Sequence, residues 1–356
     1  MKIVSVVGAR PQFIKASPVS RALRRVACEV LIHTGQHYDH GMSAVFFADL
    51  HMQEPDHYLG VGSGSHGWQT GQMLIRIEEV LLAERPDWVL VYGDTNSTIA
   101  GALAAVKLHI PLAHVEAGLR SFNRRMPEEH NRVLTDHTSD LLFCPTQTAV
   151  DNLSDEGIHR GVHLVGDVMY DAVLYNAALA EENSNVLEQL ELHPGSYTLA
   201  TVHRPRNTDD EGRLLAILSA LEEIGTDGPV VLPAHPRTQK ALDALSYRPR
   251  PDLRIIGPVG YLDMLVLEKH ARLILTDSGG VQKEAYFFAV PCLTLREETE
   301  WVETVGVGWN RLVGADRASI VRAAREFQPE GSPPPCFGDG HAAVKIADLV
   351  GGQAMG

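Results

Sequence analysis

The sequence has no long apolar run: nothing in it approaches the ~18 consecutive apolar residues that a membrane-spanning helix needs. It also lacks a basic segment followed by an apolar core at its start. Met1 leads straight into the strand-like KIVSVVGA, so no signal peptide is expected and the chain is expected to be cytoplasmic. Cysteine is scarce. Cys28, Cys144, Cys292 and Cys336 stand far apart with no CxxC spacing, which argues against a zinc knuckle or a disulfide frame and for buried thiols in a reducing compartment. Positive charge is in deficit: the formal net charge of -14 disfavours nucleic acid and anionic membrane as partners. A small anion is still admissible, because a few local arginines override a distant field. No short-period repeat of the solenoid kind is present. What remains is an ordinary globular composition, 44% hydrophobic, in 356 residues, a comfortable length for two α/β domains.

Short β-branched runs alternate with helical runs in the first half. IVSVVG, EVLIHTG, WVLVYGD, IPLAHVE, DLLFC and VHLVGD read as strands, and residues 13–25, 68–84, 95–107, 128–138 and 146–156 read as helices. Strands separated by helices of this length predict βαβ units and a parallel sheet. The pattern restarts after a polar stretch, EENSNVLEQLE. TLATVH, PVVLPAH, LRIIG, RLILTDSG and VPCLTL are the second set of strands; residues 208–224, 236–246, 261–270 and 279–289 are the second set of helices. The expected fold class is therefore α/β, with two Rossmann-like doubly wound domains facing a cleft. The first spans residues 1–168 and the second 169–339. PPPCFGD is a loop, and a last helix at about 340–356 is expected to pack back on the first domain.

Ligands of such sheets bind beyond the carboxyl ends of the strands. The richest strand exit runs from His114 to Asp136. Glu116 sits where a strand ends, Gly118 permits a sharp turn, and Pro127 with Glu128 and Glu129 reads as a helix start. Arg120, Arg124 and Arg125 lie between the acids, a combination suited to an anionic substrate and to proton transfer. Asp94 follows the neighbouring strand, where an N-cap would explain it. Asp94, Glu116 and Glu128 crowded together would raise at least one carboxyl pKa toward neutrality, as a general acid requires.

Arg10 and Lys15 follow the first strand and are placed to meet a phosphate at a helix start. His37 and His40 lack a third ligand at metal spacing, so no metal is expected there. The glycine-rich GVGSGSHG at residues 60–67 lacks the Lys-Ser/Thr of a nucleotide P-loop. In the second half, His203-Arg204 and His235-Pro236-Arg237 end successive strands, a pairing suited to a diphosphate. In Thr276 to Glu284, TDSGGVQKE, the small residues Ser278, Gly279 and Gly280 let backbone N–H groups reach a phosphate. Glu284 stands deeper in that helix, placed as an acceptor for ribose hydroxyls.

With GARPQFIK, TGQH, YGDTNST, HVEAGLRSFNRRMPEE, the HR at 203–204, AHPR and TDSGGVQKEA in this order over nearly the whole length, the chain resembles the non-hydrolysing UDP-N-acetylglucosamine 2-epimerase family. The resemblance implies a glycosyltransferase-B-like fold, a homodimer, no cofactor, and a UDP-sugar held mainly by the second domain. It implies an isomerase that eliminates UDP to a 2-acetamidoglucal and adds it back with C2 inverted, for a cell-envelope or capsule polysaccharide. By motif, Asp94, Glu116 and Glu128 become the catalytic carboxylates, and His203 a further catalytic or diphosphate-contacting group. Arg10, Lys15, His235, Ser278, Gly279, Gly280 and Glu284 become UDP-binding positions.

Several residues depart from the family pattern. Arg206 stands where many members have Glu, and Trp301-Val302 where many have Arg-Pro. Gln36-His37 matches a motif tied to an activating second UDP-sugar, but Tyr38-Asp39 replaces the residues that usually follow, which argues against such activation. HYDHGMSAVFF, SFNRRMPEE and TEWVE resemble the branch acting on UDP-2,3-diacetamido-2,3-dideoxy-glucuronic acid, and Arg206 offers a cation for a uronate. That substrate is favoured, with UDP-N-acetylglucosamine as the alternative. A glycosyltransferase of the same architecture would have no use for three acids from the first domain, and a nucleotide-sugar sensor would bind UDP without turnover.

Overall fold

The computed structural model describes residues 1–35 and 52–352, the side chain of Arg10 excepted. The first set of elements is β1 (Lys2–Val7), α1 (Arg10–Leu23), β2 (Cys28–His33), β3 (His57–Tyr58), α2 (His66–Glu84), β4 (Trp88–Tyr92) and α3 (Asn96–Lys107). It continues through β5 (Leu112–Val115), α4 (Pro127–Thr138), β6 (Leu141–Cys144), α5 (Gln147–Asp155) and β7 (Val162–Leu164). The strands form one sheet in the order β3-β2-β1-β4-β5-β6-β7, every described pair parallel. Helices cover both faces of a parallel sheet, so its strands read as unbroken apolar runs rather than alternating ones. LAHV of β5 and LLFC of β6 are buried at every position.

Helix α6 (Val168–Asn183) follows, then the short α7 (Val186–Gln189). The sequence reading left this stretch as a polar seam; the structure makes it a helix of 16 residues. The second set is β8 (Thr198–Thr201), α8 (Pro205–Thr208), α9 (Glu211–Gly225), β9 (Val230–Pro233), α10 (Pro236–Ala244), β10 (Leu253–Ile256) and α11 (Tyr261–Lys269). After it come β11 (Leu273–Thr276), α12 (Gly279–Phe287), β12 (Cys292–Thr294), α13 (Val302–Gly306), β13 (Asn310–Leu312) and α14 (Arg317–Glu326). These strands form a second parallel sheet, in the order β10-β9-β8-β11-β12-β13.

The chain divides into two compact units, Met1–Leu174 with Pro335–Gly356, and Tyr175–Pro334. The division falls inside α6, where the sequence reading drew its line at residue 168. The last helix, α15 (Ala342–Gly352), packs on α1. The buried Asp171 carboxylate caps α15, accepting from Ala342 N at 3.1 Å and Ala343 N at 2.8 Å.

Each unit has its own core. In the second, α9 buries Leu214, Ile217, Leu218 and Leu221 along one stripe against the sheet, each worth ~1.5–3 kcal/mol relative to exposure. In the first, α3 presses small residues onto β1 and β4. A Cβ on Gly101 would stand 3.0 Å from Val91 Cγ1 and 3.3 Å from Val6 Cγ2. Bulk there would lift the helix that follows Asp94. No helix among the described residues is long and apolar enough to cross a membrane.

In each sheet the strand order reverses once, between β1 and β4 and between β8 and β11. At such a switch point the loops leave to opposite faces and open a crevice beyond the strand ends. Lys15 and Asp94 follow β1 and β4, and His203 and Ser278 follow β8 and β11.

Candidate active site

In the first unit, buried Gln12 stitches the β1 exit to the β4 exit. Its Oε1 accepts from Gly8 N at 2.8 Å and Ala9 N at 3.0 Å, and its Nε2 donates to Tyr92 O at 2.7 Å. One turn further along α1, the Lys15 ammonium pairs with the Glu116 carboxylate, their side chains only 16% and 8% exposed. Burial opposes the charge on Lys15, but Glu116 and then Asp94 outweigh it and raise its pKa. Gly93 turns the chain at φ +61° directly against this pair. A Cβ there would lie 3.3 Å from Glu116 Oε2 and 3.6 Å from Lys15 Nζ, so only glycine leaves both the turn and the contact undisturbed. Glu116 itself is held at φ +71°, a strained conformation for a residue with a side chain.

Asp94 pairs with Arg132 Nη2, and Arg132 Nη1 stands 3.3 Å from Glu129 Oε2. Asp94 and Glu116 therefore share the field of Lys15, each with a cation of its own, in place of the bare like-charge crowding expected. Glu128 is half-buried at the start of α4 and makes no hydrogen bond or ion pair with the described residues. Its neighbour Glu129 is the buried one, accepting from Ser121 N and Phe122 N at 2.9 Å each and so fixing the loop before α4. These bonds to the ionised form, opposing burial, hold its pKa below the usual carboxylate range.

The frame beneath these residues is built on Asp136. Its Oδ1 lies 2.7 Å from His114 Nδ1, and its Oδ2 accepts from Gly118 N at 3.1 Å and Arg120 Nη1 at 2.6 Å. His114 Nε2 reaches the Gly93 carbonyl at 2.7 Å. One carboxylate thus ties the β4 exit, the β5 exit and α4 together. Arg120 is buried and also bonded to Glu156 at 2.7 and 2.8 Å. It is a structural cation, not the anion-binding group its sequence position suggested.

In the second unit, fully buried Asp277 organises the exit of β8. It accepts from His203 N at 3.0 Å, Arg204 N at 2.9 Å and Asn207 Nδ2 at 3.0 Å. The His203 ring lies 5.4 Å from that of His235, which caps α10 by accepting from Arg237 N. Burial lowers the His203 pKa; Asp277 opposes this, while His235, Arg204 and Arg237 add to it. Ser278 caps α12, and Gly279 and Gly280 form its first turn. A Cβ on Gly279 would approach Trp301 Nε1 at 3.4 Å, Glu300 Oε2 at 3.6 Å and Arg204 Nη2 at 3.9 Å. The backbone N–H groups of this turn and the positive end of the helix lie near Arg204, an arrangement suited to a phosphate.

Lys283 sits 4.0 Å over the Trp301 ring. Glu284 is buried in the second turn, and burial pushes its pKa up to about 7. Arg206, in the short α8 that follows His203, pairs with Glu297 at 3.3 Å and is exposed.

Asp136, Arg132 and Asp277 were not picked from the sequence. Asp277 lies inside the TDSGG run and Asp136 closes the HVEAG stretch, so the signal available was their place in segments already marked. Arg10's side chain, Gln36, His37, Tyr38, Asp39 and His40 lie outside the described residues. No group of three or more metal-ligating side chains occurs among the described residues.

Two parallel-sheet units, one with paired acids at its switch point and one with a glycine-turn helix start at its own, define an α/β protein of the glycosyltransferase-B-like class. The model of the UDP-N-acetylglucosamine 2-epimerase family matches residues 21–351. A UDP-N-acetylglucosamine 2-epimerase homolog of Methanococcus maripaludis is 54% identical, covering 98% of this chain and 99% of the relative. The UDP-2,3-diacetamido-2,3-dideoxy-D-glucuronate 2-epimerase of Pseudomonas aeruginosa is 51% identical, covering 98% and 99%. The crystal structure of Methanocaldococcus jannaschii UDP-GlcNAc 2-epimerase with UDP-GlcNAc and UDP superimposes with a TM-score of 0.85 at 46% identity, covering 98% and 99%. The chain belongs to the UDP-N-acetylglucosamine 2-epimerase family and is an isomerase of that class.

Proposed function

We propose that this chain inverts C2 of a UDP-N-acetylhexosamine, gluco to manno, by eliminating and re-adding UDP. The observation that carries this is the convergence of Asp94 and Glu116, from adjacent strand exits, on one buried lysine. The C2 proton is not next to a carbonyl, so direct abstraction is too slow to serve. Elimination avoids the problem: the C1–O bond to UDP breaks, C2 gives its proton to a base, and a 2-acetamidoglucal forms. UDP then returns to C1 and a proton returns to the other face of C2. Asp94, Glu116 and Glu128 supply the acid and base groups. Lys15 holds Glu116 and, with Arg10, lends positive charge to the departing diphosphate. His203, His235, Ser278, Gly279 and Gly280 bind the diphosphate, and Glu284 accepts from the ribose.

The sugar we favour is UDP-2,3-diacetamido-2,3-dideoxy-glucuronic acid, on the strength of the 51% identical Pseudomonas relative and of Arg206 as a cation for the uronate. UDP-N-acetylglucosamine is the alternative, with the Methanocaldococcus relative in its favour. NMR in D2O with each sugar tests this. Deuterium should enter C2 without any acceptor, faster with the uronate; brisk turnover of UDP-N-acetylglucosamine alone reverses the substrate choice, and no exchange with either ends the reading.

The same reading makes the enzyme a cytoplasmic homodimer that serves polysaccharide biosynthesis. Trp68, Ile75 and Leu82, spaced i, i+7 and i+14 on α2, are 51%, 52% and 58% exposed. An apolar stripe of that period supports helix pairing between copies. Light scattering that gives a monomer mass at micromolar concentration would remove the dimer from this picture.

A further inference from the structure

Glu268 lies on α11, outside every motif named above, and is completely buried. No N–H or O–H of a described residue reaches either of its oxygens. Its carboxyl is within hydrogen-bonding reach of the Glu284 carboxyl on α12. Two carboxylates cannot hydrogen-bond to each other, but a carboxylic acid and a carboxylate can, and burying both charges side by side would be far costlier. The other titratable groups around the pair do not change this. Tyr261 Oη meets Glu284 Oε1 at 3.5 Å. Lys283 acts on Glu284 by its charge alone, with its ammonium over Trp301. Tyr197 donates to the Leu267 carbonyl at 2.6 Å, and the Cys292 thiol is buried, with its pKa raised. Neither donates to Glu268. Glu284 Oε2, meanwhile, is 4.0 Å from where a Cβ on Gly280 would stand, so this oxygen faces the glycine turn.

We propose that Glu268 is a positioning residue that keeps one proton and donates it to Glu284, so that Glu284 presents an ionised oxygen to the vicinal ribose hydroxyls of the nucleotide. Above about pH 7 the pair carries one proton and behaves as a single acceptor aimed at a diol. Burial without this donor would favour the protonated form of Glu284, which accepts poorly. This rests on the reading that the second unit binds UDP.

The test is calorimetric titration of the full chain with UDP and with 2′,3′-dideoxy-UDP, between about pH 5.5 and about 8.5, for the wild type, Glu268→Gln and Glu268→Met. Wild-type affinity for UDP should fall as pH drops through about 7, the range in which Glu284 takes up its proton. Dideoxy-UDP, without the hydroxyls, should show little of that fall. Glu268→Gln keeps a neutral donor and should stay within about twofold of wild type at the alkaline end. Glu268→Met removes the donor and should weaken UDP about tenfold, shift its pH midpoint upward, and leave dideoxy-UDP nearly unchanged.

The proposal is overturned if Glu268→Met binds UDP as wild type does, or weakens both nucleotides equally, as a merely structural residue would. If the Met variant does not fold, Glu268→Gln decides alone: about a tenfold loss of UDP affinity means that Glu268 works as an anion, and sinks the idea. A wild-type chain that binds no UDP refutes the proposed function as well; one that binds UDP while ignoring position 268 refutes only this inference.

Discussion

The acids assigned to the candidate site are partnered in opposite ways in the two units. In the first, Glu116 meets Lys15, Asp94 meets Arg132, and Asp136 meets Arg120 and His114. In the second, Asp277 is held by backbone N–H groups and an amide, and Glu284 faces another carboxyl. The difference follows the work proposed for each. An acid that moves a proton benefits from a charged neighbour able to absorb the change. An acid that only grips hydroxyl groups needs fixed geometry and no exchange. The contrast also gives Asp136 and Glu284 opposite responses to pH.

The largest expected effect is on chemistry. Glu116→Gln keeps the side chain's shape but removes its basicity, and should lower kcat by about 10³-fold while UDP binding survives. Steady-state kinetics beside a UDP titration checks this, and a comparable loss of UDP affinity would erase the distinction between the units.

Next is the frame. Asp136→Asn leaves Arg120 and His114 without their common buried acceptor charge and should cost about 3 kcal/mol in urea unfolding. The wild-type contribution has a definite pH sign. Burial raises the Asp136 pKa, but His114 and Arg120 lower it further. The folded value lies below the unfolded one, about 3.9. The stability is therefore present above that unfolded value and lost as pH falls through the lower folded one.

Glu284 should do the reverse. Its folded pKa of about 7 lies above the ordinary 4.5 of a glutamate. The folded state holds a proton that the unfolded chain releases between those values, so stability falls as pH rises through that window. Glu284→Gln should therefore gain on the wild type at pH 8 and not at pH 5, read as the difference in Tm at each pH. A constant difference would contradict the sign. The smallest effect belongs to Arg206. Exposed and already paired with Glu297, it should change the kcat/KM ratio of uronate to N-acetylglucosamine substrate by no more than about fivefold on Arg206→Ala.

Much of this architecture was legible in the residues alone. Strands of a parallel sheet are buried on both faces, so WVLVY and LLFC stand out without periodicity analysis. Proline and acids marked α4, and Ser-Gly-Gly marked α12. What escaped reading depended on distance. Lys15 and Glu116 are 101 residues apart, and Asp94 and Arg132 are 38 apart; no local pattern announces such pairings. The helix over 168–183 was hidden by the polar residues at its end, although its first three turns are rich in Ala, Leu and Val. Glu268 carries no local signal, because a sequence does not say which side of α11 is covered. Glu128 and Glu129 are adjacent and identical, and only the fold separates the half-buried one from the one bonded into the loop.

Solvent deuterium exchange, run on two variants side by side, tests the division of labour most directly. With saturating UDP-sugar in D2O, Glu284→Gln should raise KM yet still place deuterium at C2, because its acid only binds. Glu116→Gln should bind the nucleotide and place almost none. Deuterium entering C2 at the wild-type rate in Glu116→Gln, or vanishing at saturation in Glu284→Gln, would contradict the account.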